Sequence, residues 1–283
     1  MNEFTVHGTV PAPARSIISL APSITEVLFY LGLGDVVAGV TRQCDHPEEA
    51  RSKLAIGSFA APDMTIIAGL SPDVIIGLSD LHAHLAKKID TGRTCLILLG
   101  YHTVQGILDA MQALASLAGD SRQALGLVAS LQARLDALRS RPRRERPART
   151  LFMTMENPVI IPGLGSYQHD ALDIAGAVQM SGDPRQYERV TLEEVIHFDP
   201  EVVLACGRHR DEPPCRLCPD CRADNPICRR IVEDIAGKPG WRETAAAKTG
   251  RFLPLPCHWL CRPGPRLIDG MEKIADILMN YEA

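Results

Sequence analysis

The residues in this chain with the greatest capacity for chemistry are its nine cysteines. Five of them fall within CGRHRDEPPCRLCPDCRADNPIC, from Cys206 to Cys228, where Cys215, Cys218 and Cys221 repeat a C-x-x-C-x-x-C spacing. Such spacing brings three thiolates onto one short loop. Pro213, Pro214, Pro219 and Pro226 exclude a continuous helix, and Arg, Asp and Glu fill most other positions, so the loop cannot pack a core of its own. Structural zinc usually takes two separate C-x-x-C knuckles, whereas cysteines at successive three-residue steps suit the irons of a cubane. The spacing therefore predicts an iron–sulfur cluster, with a zinc site or a disulfide staple as alternatives. The match to the ferredoxin run is partial, because Cys228 stands apart from the triplet and is followed by Arg229, not proline.

The remaining composition narrows the function classes. With 46% hydrophobic and 23% charged residues in 283, the chain can bury more than one core and is neither disordered nor membrane-spanning in character. A net charge of -4 gives no reason to expect a nucleic-acid partner. The only basic run, Arg139 to Arg149, is broken by Pro142 and Pro147 and reads as a solvated connector. The lead MNEFTVHGTVPAPARS lacks a basic segment followed by an apolar one. This predicts a cytoplasmic protein, or a periplasmic one had a leader been removed, and in a reducing compartment nine cysteines argue for metal ligation over disulfides. No Ser-His-Asp order, phosphate-binding loop or G-x-G-x-x-G is present, so a binding or electron-transfer role is favoured over a hydrolase.

The elements that must position these residues alternate. Ile17 to Leu20 reads as a buried strand, followed by a helix capped at Ser23 or Thr25 and ended by Gly32 and Gly34. Strands follow at Val36 to Val40, Val74 to Ile76 and Thr94 to Leu99, then two helices between Thr103 and Arg139 broken at Gly119-Asp120. Thr150 to Met155 is a strand and Tyr167 to Ala175 a helix. TIIAGLSPDVII at 65–76 and EEVIHFDPEVVL at 193–204 align without a gap, the mark of two lobes of similar topology. The class is α/β with parallel sheets.

APSITEVLFYLGLGDVVAGVT, GLSPDVIIG, the paired helices, DPEVVLACG and RPGPRLIDGMEKIADIL together resemble the cobalamin and iron-siderophore substrate-binding proteins, the helical-backbone metal receptors of the class III periplasmic-binding-protein-like fold, over about Arg15 to Met279. The resemblance implies two Rossmann-like lobes, 1–120 and 142–283, joined by a rigid backbone helix within 121–141, with the ligand held in the cleft between the lobes, which the sheet C-termini face. It also implies a docking glutamate on each lobe for an ABC permease. One position falls on Glu193 but the other on Thr65, so docking is expected to be weak.

Against this frame the Cys-rich stretch 206–228 is an insert, and Cys206, Cys257 and Cys261 stand at strand ends that should face the ligand, with Cys44 facing it from the first lobe. The expected metal set is Cys44, Cys206, Cys215, Cys218, Cys221, Cys228, Cys257 and Cys261, enough for two cubanes or one larger fused cluster in or beside the cleft; the alternatives are a transport receptor for cobalamin or an iron chelate with a zinc- or disulfide-stapled loop, and an iron–sulfur redox enzyme. Cys95, inside TCLILL, reads as a core thiol. Trp259, His258, Tyr167 and Glu156 are candidates for lining a site for a metal cofactor or a corrinoid, although packing is the common fate of such residues. His209 is weighed like His258, and His82 and His84 are expected in a solvated loop.

Overall fold

The computed structural model describes residues 4–213 and 230–280. They form two compact units, one of residues 4–101 and 105–133, the other of 102–104, 134–213 and 230–280.

The first unit is a six-stranded sheet. Its strands β1 (Phe4–His7), β2 (Ile17–Ser19), β3 (Val37–Val40), β4 (Leu54–Ala55), β5 (Val74–Leu78) and β6 (Cys95–Leu99) lie in the order β1-β6-β5-β2-β3-β4. All neighbours are parallel except β1, which pairs antiparallel with β6 through Phe4↔Leu99. The central strands are, Ser19 apart, apolar because both their faces are covered, as expected of a parallel sheet. The edge strand β1 lies within what reads as a polar lead. Phe4, Thr5 and Val6 are exposed, so no buried pattern marks it in the sequence. Helices α1 (Pro22–Tyr30), α2 (Met64–Leu70) and α3 (Ser79–His82) follow strands, and α4 (Val104–Ala115) and α5 (Arg122–Arg139) come next. The division between the units falls inside α5, between Ala133 and Arg134.

In the second unit, β7 (Thr150–Met153), β10 (Val202–Cys206) and β11 (Phe252–Leu255) form a parallel sheet with β10 central, while β8 (Val159–Pro162) and β9 (Tyr187–Val190) pair antiparallel. Its helices are α6 (Tyr167–Ile174), α7 (Leu192–Phe198), α8 (Val232–Ala236), α9 (Ala245–Lys248), α10 (Cys257–Leu260) and α11 (Pro265–Met279). Leu151, Met153, Val203, Ala205, Val232, Trp241 and Phe252 share one core. Arg134 from the end of α5 grips Asp269 and Glu272 of α11, each at 2.6 Å, and Arg141 reaches Asp276 at 2.8 Å.

The repeated segments fold alike. Helices α2 and α7 end on left-handed residues, Ser71 (φ 46) and Asp199 (φ 47), each followed by proline, an acid and a strand. Asp73 and Val74 donate their N–H groups to the Ser16 carbonyl, and Glu201 and Val202 donate theirs to that of Arg149. The acids act alike too. Asp73 accepts the Arg15 and Ser16 N–H groups at 2.8 and 3.2 Å, and Glu201 accepts that of Arg149 at 3.0 Å.

Candidate ligand-binding site

Because β7, β10 and β11 are parallel, their C-terminal ends open on one side of the second unit's sheet, the side where open α/β folds hold ligands. Cys206 closes β10 opposite Leu255, and Pro256 leads directly from β11 into α10, which carries Cys257, His258 and Trp259. Glu156 lies just beyond β7, and Tyr167 opens α6 behind the Ser166 cap. The strand ends thus gather Glu156, Cys206, Cys257, His258, Trp259 and Cys261 into one region of the second unit.

Their environments differ. Tyr167 is buried. The Glu156 carboxylate is paired with Lys238 Nζ, so it is a compensated charge and not a bare acid. Trp259 is half-buried, and its backbone lies against Gly270 of α11, where an added Cβ would come within 2.6 Å of the Trp259 carbonyl oxygen. Cys206 Sγ and Cys261 Sγ are 3.3 Å apart. The hydrogen bond from Cys261 holds the Cys206 thiol below the ordinary thiol value against the burial that would raise it, and the Arg230 charge helps. Cys261 is pushed well above it, by that same bond and by burial.

The chain beyond β10 leaves and returns at one place. The Arg208 N–H donates to the Arg230 carbonyl at 2.9 Å, and the Val232 N–H to that of Arg208. Gly207 permits this approach, since a Cβ there would sit 2.7 Å from the Arg230 oxygen. His209 Nδ1 lies 2.7 Å from Glu233 Oε1 across the same stem. The expected ligands Cys215, Cys218, Cys221 and Cys228 lie outside the described residues.

Cys44 belongs to a buried polar network in the first unit. Thr25 Oγ1 lies 2.7 Å from Ser19 Oγ and 3.0 Å from Cys44 Sγ, and Thr41 Oγ1 is 3.2 Å from the same sulfur. Cys95 is buried in β6, and burial raises its thiol. The expectation of solvated histidines holds for His84 but not for His82, which is fully buried. His82 Nδ1 accepts the Leu78 N–H at 2.9 Å, Nε2 lies 2.9 Å from the Phe59 carbonyl, and the ring meets Phe59 edge-on. An i,i+2 spacing could not reveal this, because the partner carbonyl comes from a distant loop.

The family model described as "Periplasmic binding protein" matches residues 17–257. The chain belongs to the periplasmic binding protein family. This member is 26% identical to a Vibrio cholerae vitamin B12-binding protein over 275 residues, covering 95% of this chain and 90% of the relative. Among solved structures, the periplasmic vitamin B12 binding protein BtuF of Vibrio cholerae superimposes with a TM-score of 0.76 at 24% identity, covering 96% of this chain and all of the other. The periplasmic heme binding protein HutB of the same organism gives 0.73 at 18%, covering 93% and 98%. The class III two-lobed α/β fold expected from the sequence is the one found.

Membership corrects two expectations and removes a third. The iron–sulfur cluster, and zinc with it, is overturned: the relatives are named for binding vitamin B12 and heme, and among the described residues no group of three or more His, Cys, Asp or Glu side chains could hold a metal ion. Of the described thiols, Cys206 is engaged with Cys261 and Cys44 with two threonine hydroxyls. The cytoplasmic assignment is also overturned, since the family and both solved neighbours are described as periplasmic. The doubt about permease docking finds no support. Glu193 and Thr65 are both exposed in the first turns of the equivalent helices α7 and α2, and Asp63, which caps α2, is exposed beside Thr65.

Proposed function

We propose that this protein is the exported substrate-binding component of an ABC-type transporter, and that its substrate is a corrinoid of the vitamin B12 class. The observation that carries the reading is the likeness to a vitamin B12-binding protein along nearly the whole of both chains. The chemistry of the strand ends agrees with it. A corrin presents broad apolar faces rimmed by amides, and such a ligand needs an aromatic wall with a few fixed polar groups around it. Trp259 on α10 supplies the wall. His258 and the Glu156–Lys238 pair supply polar groups that can meet amides without placing a bare charge against them. Docking on the permease uses the exposed Glu193.

Calorimetric titration with cyanocobalamin tests this, with haemin as the competing ligand. Binding at about 1 μM or tighter is expected, and Trp259→Ala should weaken it by about 10–100-fold, the loss typical of a central aromatic anchor. Tight binding of haemin with none of cyanocobalamin would replace the corrinoid with an iron tetrapyrrole. Binding of neither would overturn the reading.

A further inference from the structure

We propose that Cys206 and Cys261 are a dithiol that closes to a disulfide by exchange with a small-molecule disulfide, fastening the end of β10 to the segment that enters α11. The pair is already assembled. Its sulfurs are 3.3 Å apart, so bond formation asks them to approach by only about 1.3 Å. Both backbones are held independently of the sulfurs. Cys206 is in register with Leu255 in the parallel sheet, and the Cys261 N–H donates to the Cys257 carbonyl at 2.9 Å. The fold therefore sets the two backbone positions from which the sulfurs meet.

The hydrogen bond from Cys261, and after it the charge of Arg230, make Cys206 different from a packed core cysteine. Arg230 Nη1 is buried with no hydrogen-bond partner among the described residues, which leaves a cation to favour a thiolate. Cys95 is the internal contrast. It lies among leucines, and burial alone acts on it, in the opposite direction. An inert thiol needs no cation, and Cys95 has none.

The exchange balances without a metal or cofactor. One protein thiolate attacks a sulfur of the oxidant R–S–S–R, forming a mixed disulfide and expelling RS⁻. The second protein thiolate attacks the protein sulfur of that mixed disulfide, forming the Cys206–Cys261 bond and expelling the other RS⁻. Two protein thiols are oxidised, one reagent disulfide is reduced to two thiols, and the two protons end on them. Compartments outside the cytoplasm favour the closed form. The bond would enclose residues 207–260, constraining the unfolded chain and fixing α10, with Cys257, His258 and Trp259, against the sheet.

The test uses the full chain, reduced and then equilibrated under native conditions with excess oxidised glutathione. Remaining thiols are alkylated and the protein is digested without reductant. The expected result is a linked peptide containing Cys206 and Cys261, and a rise in Tm of about 5–10 °C over the reduced protein. Cys261→Ser and, separately, Cys206→Ala should lose both the peptide and the rise. The idea is overturned if Cys206 and Cys261 are recovered alkylated, if either is joined to Cys257 or to a cysteine between 215 and 228, or if glutathione remains on one of them. The peptide map is read on the unaltered protein, so a variant that fails to fold does not obscure the outcome.

Discussion

Replacing Gly270 by alanine sets helix propensity directly against packing. Gly270 lies in the middle of α11, where alanine should gain roughly 1 kcal/mol from propensity alone. Its ideal Cβ, however, would sit 2.5 Å from Trp259 Cβ, 2.6 Å from the Trp259 carbonyl oxygen and 2.7 Å from Trp259 Cα. These atoms are backbone or fixed to it, so no rotamer change relieves the overlap and α10 must move away as a whole. Overpacking of this kind costs about 1–3 kcal/mol. Two backbone atoms and a Cβ fixed to them place the cost at the upper end, for a net loss of about 1–2 kcal/mol and a Tm lower by about 2–8 °C. Gly126 supplies the control. It is also helical, in α5, but nothing lies within 4 Å of its Cβ position, so Gly126→Ala should gain a fraction of that propensity and raise Tm slightly. Urea denaturation at matched m-values reads both variants. Because the same contact positions Trp259, Gly270→Ala should also weaken cyanocobalamin binding while Gly126→Ala leaves it unchanged. If Gly270→Ala is as stable as Gly126→Ala, the close packing of α10 on α11 is wrong.

Two further outcomes follow from buried groups. Burial, only partly offset by the Phe59 carbonyl, holds His82 below the usual histidine pKa, and nearby His84 adds to this. The unfolded chain therefore takes up the proton first as pH falls below about 6.5, so His82's contribution is complete above that pH and declines toward its folded-state pKa. Denaturation midpoints from pH 8 to pH 5 should fall more steeply for the natural protein than for His82→Gln, and parallel curves would refute this. Glu201→Ala should cost about 1–3 kcal/mol in chemical denaturation, because it leaves the Arg149 N–H without its acceptor in a buried place. Asp73→Ala, at the equivalent but more open position, should cost less, and the reverse order would argue against the likeness of the two turns.

Local chain chemistry determined a good deal here. Apolar runs such as Val74–Ile76 and Leu96–Leu99 must be buried on both faces, which forces a parallel sheet covered by helices, and Ser71-Pro72-Asp73 with Asp199-Pro200-Glu201 marks the same turn in both halves. The order of those elements along the chain also sufficed to place it in its family. The edge strand β1 escaped because an exposed, hydrogen-bonded edge needs no apolar pattern. The cysteines misled for a related reason. A C-x-x-C-x-x-C spacing constrains only the loop that contains it and carries no information on which other thiols approach. That Cys206 meets Cys261 was decided by the register of β10 on β11 and by the short α10 that follows, and that Cys44 turns instead toward Thr25 and Thr41 was decided by the packing of α1 on its sheet. His82 finds its carbonyl partner at Phe59, twenty-three residues away. Contacts across such separations depend on where strands and helices are set down in three dimensions, and only the assembled fold supplies that.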